Sequence, residues 1–186
     1  VSRYCPLMVV VALVGCAQQP AELDRQAALQ PADVGEEIDF ANWQKVGQNP
    51  IPVPGKMILE CRAPSVTREY DPSKPSDVSP HVMPAIVVRV NSIGFEAFRD
   101  RKSPLPVGTV IVKEKHISMS AQGPPKEYGA MVKREPGYDP TRGDWEYVYV
   151  VRGPEKKVTR GQIESCIYCH VRQMDHDYVF RTYLKP

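Results

Sequence analysis

The string Cys166-Ile167-Tyr168-Cys169-His170 stands near the end of the chain, with 16 of the 186 residues after it. Two thiols spaced in this way and followed by an imidazole form the attachment pattern of a c-type haem. The thiols add across the porphyrin vinyl groups, and the histidine is placed to ligate the iron. One alternative is a zinc site, which needs a second Cys or His pair at similar spacing that the chain lacks. The other is a buried thiol pair beside a surface histidine. The late position of the motif constrains the fold. Met174 lies one helical turn past His170, too close to reach the opposite side of a porphyrin that His170 ligates. Met57, Met83, Met119 and Met131 lie upstream, and each serves equally well as core filling. The expected arrangement is one axial ligand, His170, with upstream strands covering an open iron position.

The N-terminus addresses the compartment. Arg3 precedes an uncharged apolar run from Leu7 to Val14, too short to cross a bilayer and typical of an export signal. Leu13-Val14-Gly15-Cys16 resembles a bacterial lipobox, with cleavage before Cys16 and lipid on that cysteine; an ordinary signal cleaved near Ala17 is the alternative. The expected organisation is a signal peptide over 1–15, a lipid-anchored spacer over 16–37 and a haem domain over 38–186. Ala17 and Gln18 carry no acidic retention cue, which favours the outer membrane and a periplasmic location. Export suits the motif, because bacterial c-type haem is attached on the oxidising side of the inner membrane. Cys5 lies in the signal, Cys16 carries lipid and Cys166 and Cys169 carry haem. Only Cys61 then remains, and no disulfide framework is left. The net charge of +2 and the lack of a basic stripe argue against a nucleic-acid partner.

Periodicity predicts a short helix over 39–47 with Asp39 as its N-cap, followed by a proline-rich excursion over 64–81. Ala85 to Val90 reads as a strand and Ile93 to Arg99 as a helix capped by Asn91 or Ser92. Further strands are read at Gly108 to Ile117, Tyr128 to Lys133 and Trp145 to Val151. In the last of these Tyr147 and Tyr149 share a face opposite Glu146, Val148 and Val150. A helix is expected over Thr159 to His170. The fold class is α+β: a mostly antiparallel sheet with flanking helices, the C-terminal helix carrying the haem motif.

The segment from about Ala85 to Phe180 resembles the cytochrome P460 family. The likeness rests on Gly108-Thr109-Val110-Ile111-Val112-Lys113-Glu114, on Met131-Val132-Lys133-Arg134 followed by Gly143-Asp144-Trp145, and on Cys166 to His170 trailed by Asp177-Tyr178-Val179-Phe180. A weaker match reaches Phe40-Ala41-Asn42-Trp43. The resemblance implies an exported, β-rich, usually dimeric haem c protein. Some members oxidise hydroxylamine and pass electrons to a periplasmic cytochrome. The related cytochromes c′-β bind nitric oxide at a five-coordinate iron. The resemblance also implies that Lys113 matches a lysine bonded to the porphyrin edge in catalytic members.

The residues themselves leave that role open. Thr109, Ile111, Lys113, Lys115 and Ile117 share one strand face, and Val110, Val112, Glu114 and His116 share the other. Neither face is purely apolar, so the pattern does not say which one meets the haem. Lys113 could equally be a solvated lysine or one lying near a propionate. The carboxylate that catalytic relatives carry on the next strand falls at Gly129 or Ala130 here. Glu127 lies just outside, and a one-residue slip to bring it in would reverse its face. Arg134 and Arg181 are candidates for propionate pairing or for ordinary ion pairs. His81, His116 and His176 read as surface or satisfied histidines.

Overall fold

The structure is a computed structural model and describes residues 37–47, 49–52, 85–181 and 184. Cys5, Cys16, Met57, Cys61, His81 and Met83 lie outside the described residues, as do the signal, most of the spacer and the 64–81 excursion.

An antiparallel sheet dominates. Its strands are β1 (Gln44–Lys45), β2 (Ile51–Pro52), β3 (Ala85–Val90), β4 (Val110–His116), β5 (Glu127–Lys133), β6 (Trp145–Val151) and β7 (Lys157–Gly161). They run in the order β1-β3-β4-β5-β6-β7, with β2 also paired to β3. Helix α1 (Phe95–Arg99) links β3 to β4, and α2 (Glu164–His170) follows β7 and carries the Cys-x-x-Cys-His string. A 3-10 segment, Val171–His176, continues α2. The expected mostly antiparallel sheet with a C-terminal helix is present.

Three expectations about local structure are corrected. Residues 39–47 do not form a helix. Asp39 Oδ1 accepts the Ala41 amide at 3.2 Å in a local turn, and the chain then pairs with β3 as β1. Phe40 and Val46 bury in different cores on opposite sides of the sheet, which a single helical face could not achieve. The second correction is β7, which the sequence reading merged into the final helix. It is a polar edge strand without apolar alternation, so it carries no period-2 signal. Gly161, at φ 118°, ends it and lets the chain turn into the shorter α2. The third concerns α1, which starts at Phe95 without a side-chain cap. Asn91 is fully buried and instead ties the preceding turn, accepting the amides of Gly94 and Val110 and donating to the Gly108 carbonyl. Only glycine fits at position 94, because a Cβ there would lie 2.2 Å from Thr109 Cγ2.

The pleat divides the interior in two. On one side, Val88, Val90, Ile111, Met131, Trp145 and Tyr147 pack with Phe98, Ile163 and Val179, and Cys166, Ile167 and Tyr149 border this core. On the other, Val110, Val112, Tyr128, Ala130, Val132, Val148 and Val150 pack under Phe40, Ile38 and Trp43. Tyr147 and Tyr149 share the α2-facing side, as the strand period predicts.

Candidate functional site

Helix α2 packs on the face of the sheet that carries Ile111, Lys113 and Lys115. Tertiary packing thus decides which of the two strand faces meets α2, a choice that periodicity left open. Cys166, Cys169 and His170 stand at i, i+3 and i+4, so they share one side of α2. Neither cysteine is in a disulfide, and both are half-buried. Burial raises the Cys166 thiol to about 11, which keeps it protonated at neutral pH.

His170 is held in one tautomer. Its Nδ1 lies 2.7 Å from the Tyr178 carbonyl oxygen, which can only accept, so Nδ1 carries the proton and donates. Nε2 is left with a lone pair for a metal. The ring sits between Tyr147 (centroids 5.4 Å apart) and Phe180 (5.1 Å). Burial drives its pKa down to about 4, partly opposed by the bond to Tyr178 and assisted by the positive charge of Lys113, so the imidazole is neutral.

The segment after α2 builds this anchor. Asp177 and Tyr178 adopt successive left-handed conformations (φ 56° and 62°) and turn the chain back under the helix. Asp177 accepts from Lys133 Nζ at 2.6 Å and from the Leu105 amide at 2.8 Å, and its carbonyl accepts from Trp145 Nε1 at 2.8 Å. The Tyr178 hydroxyl donates to the Thr141 carbonyl at 2.9 Å. Gly143 leaves room for the Tyr178 ring, since a Cβ there would come within 2.9 Å of it. Trp145, Asp177 and Tyr178 entered the sequence reading as landmarks. Their joint task, holding one carbonyl against His170, depends on contacts that the sequence order does not reveal.

Lys113 lies half-buried on β4 between Val88 of β3 and Gly129 of β5. It is near enough for its charge to bear on His170, Cys166 and Lys115. The register puts Gly129 directly opposite Lys113 on the α2-facing side and Ala130 on the far side. A Cβ at Gly129 would make only ordinary contacts, 3.9 Å from Tyr149 Cδ2 and from the Val148 carbonyl, so a methyl group fits there without a clash. Glu127 needs no register shift. It is two residues from Gly129 and shares its face, opposite Lys115.

Other candidates separate from the site. His116 is buried on the far face and bonds Glu114 at 2.9 Å, and His176 is exposed. Arg134 pairs with Glu146, and Arg181 donates to the Lys102 carbonyl at 2.7 Å over the Phe98 ring. Met131 is a core residue, whereas Met119 and Met174 are exposed. Two adjoining cavities of about 360 and 520 Å³ share Pro124, Pro125 and Arg152, and none of Lys113, Cys166, Cys169 or His170 lines them. Among the described residues no group of three or more His, Cys, Asp or Glu side chains is placed to hold a metal ion by itself. The donor set here is instead one imidazole nitrogen and two thiols, which suits a metal that brings its own macrocycle.

The sequence pattern of the Cytochrome P460 family matches residues 66–181. The chain belongs to the cytochrome P460 family. Membership implies a haem protein acting on nitrogen species, with covalently bound haem c. No curated protein matches the chain. The residues of this P460 chain fit that group: two thiols outside any disulfide and an imidazole with Nδ1 satisfied, on one side of the helix that packs against the sheet.

Proposed function

We propose that this chain is an exported mono-haem cytochrome whose open iron position takes small nitrogen species, oxidising hydroxylamine or handling nitric oxide. The observation that carries the reading is the His170–Tyr178 bond, which leaves Nε2 as a neutral donor on the side of α2 that also presents Cys166 and Cys169. In this reading Cys166 and Cys169 are the thioether anchors, His170 is the single axial ligand and Lys113 is a third tether to the porphyrin edge. When bound, the haem supplies a redox-active iron with a free position for a small ligand.

The chain's residues would do the rest. Tyr178 fixes the imidazole and keeps its basic nitrogen forward. Tyr147 and Phe180 flank the ring and exclude water from it. Lys113 would form its tether through the neutral amine, the form able to bond carbon. Electrons would leave to a periplasmic cytochrome. Cys16 would carry a lipid anchor to the outer membrane, and two copies would pair as a homodimer.

A second reading is a nitric oxide-binding protein without turnover. Gly129 favours it, because the position opposite Lys113 carries no carboxylate to take a proton. Optical spectroscopy of protein matured in an exporting bacterium tests both. A strongly red-shifted ferrous Soret band that is lost in Lys113→Ala, with hydroxylamine consumed, supports the enzyme. A five-coordinate spectrum of ordinary c type, unmoved by Lys113→Ala, supports the binder. A six-coordinate low-spin spectrum defeats both in favour of an electron carrier.

A further inference from the structure

Three neighbouring strands place a lysine, a tyrosine and a glutamate together on the α2-facing side of the sheet. Lys115 Nζ donates to the Tyr149 hydroxyl at 2.8 Å, and that hydroxyl donates to Glu127 Oε2. Lys115 Nζ also lies 3.4 Å from the same carboxylate oxygen. The Lys115 side chain is 5% exposed and that of Glu127 is 22% exposed, so the chain of hydrogen bonds has a buried end and an end that reaches water.

We propose that Lys115, Tyr149 and Glu127 form a proton-exit path from the haem-facing surface, with Lys115 as its inner acceptor and Glu127 as its outlet. The proposal rests on the hydroxylamine-oxidising reading above, since simple binding of nitric oxide releases no proton. A substrate N–H or O–H bond breaks with its electron pair staying on the substrate, and the proton adds to the neutral amine of Lys115. Lys115 then passes one proton to the Tyr149 oxygen while the phenol's own proton moves to Glu127 and on to water. All three groups return to their starting forms. The electrons released by the oxidation leave to the external one-electron carrier.

Two features separate this cluster from a structural ion pair. Each member can gain or lose a proton and the three form one continuous chain, whereas Glu114 and Glu146 on the far sheet face are each clamped by arginine, which stays charged. The surroundings also favour transfer. Burial and the neighbouring charge of Lys113 lower Lys115 to about 8 against the pull of Glu127, so amine and ammonium coexist near neutral pH. The groups facing Lys115 are Lys113 on its own strand, Glu127 from β5, Tyr149 from β6 and Cys166 from α2, while β3 presents Ile86.

The test uses the holoprotein. The Lys115 side chain is titrated by NMR of the carbon next to Nζ in the ferrous carbonyl form, for the wild type and for Glu127→Gln. Hydroxylamine turnover is measured for the wild type and for Tyr149→Phe, a variant that keeps the ring and interrupts only the hydroxyl. The expected results are a midpoint near 8, a fall of about one pH unit in Glu127→Gln, and kcat about 100-fold lower in Tyr149→Phe with an unchanged optical spectrum. A Lys115 midpoint that ignores Glu127, or wild-type turnover in Tyr149→Phe, overturns the path even where hydroxylamine is oxidised. A holoprotein inert to hydroxylamine overturns the reading beneath it, whatever the titration gives.

Discussion

The two faces of the central sheet bury charge in opposite ways. On the far face, Glu146 accepts from Arg134 at 2.7 Å and from Arg160 at 2.6 Å, and Glu114 lies between Arg89 and His116. Arg89 also donates to the Trp43 carbonyl at 2.9 Å and so ties down the N-terminal segment. Both carboxylates are held by guanidinium donors, which do not deprotonate, and His116 is the one imidazole among these partners. The α2-facing side buries Lys115 and half-buries Tyr149, Glu127, His170 and Cys166, none of which is a permanent charge as arginine is. One face holds the fold and the other keeps chemistry available. The contrast arises because strand residues alternate sides: Glu114 and Lys115 are adjacent in sequence yet belong to different networks.

Several measurements can break this division. The largest effect is expected from Cys166→Ser combined with Cys169→Ser in a Lys113→Ala background, which removes all three proposed tethers and should abolish covalent haem, read as loss of haem staining on a denaturing gel. A far-face variant such as Glu146→Ala should retain the stain. Glu146→Ala should instead cost about 3–5 kcal/mol in urea unfolding, because two buried guanidinium groups lose their shared partner. Comparable destabilisation without loss of stain confirms the division, whereas a marginal change in stability would refute it.

A smaller effect concerns pH. The His170 pKa falls from 6.5 to about 4 on folding, so between those values the unfolded chain binds more protons than the folded one. Chain made without haem should therefore carry no such penalty above pH 6.5 and lose on the order of 3 kcal/mol of stability as pH falls toward 4. His170→Phe should flatten that slope in denaturant titrations, and a slope that survives the substitution would assign it elsewhere. The smallest effect is expected from Gly129→Ala. The added methyl meets only ordinary contacts, and a strand glycine costs about 0.5–1 kcal/mol relative to alanine. A gain of that size in thermal unfolding supports room for a methyl group opposite Lys113, and a loss would mean that the neighbours must shift.

Much of the sheet was legible because β3 to β6 carry β-branched and aromatic runs of strand length. The helix expected over 39–47 shows the weakness of a short pattern. Phe40 and Trp43 mimic a helical stripe, but the energetic gain lay in pairing with β3 and in sealing both cores. β7 was missed because its residues are polar and its stability comes from pairing with β6. At the site, Cys166, Cys169 and His170 were legible because local helical spacing brings them together. Tyr178 as the anchor of His170, and Glu127 as the partner of Lys115, were not, since residues in separate strands and turns meet only through register.

The sequence by itself determined the attachment string, its helical spacing, the sheet-forming segments and the family, because these follow from local chemistry and short-range periodicity. Only the tertiary structure decided which sheet face meets α2, which nitrogen of His170 stays free and which strand neighbours share a proton network. Those outcomes depend on pairing register, and a shift of one residue turns every side chain of a strand to the other side.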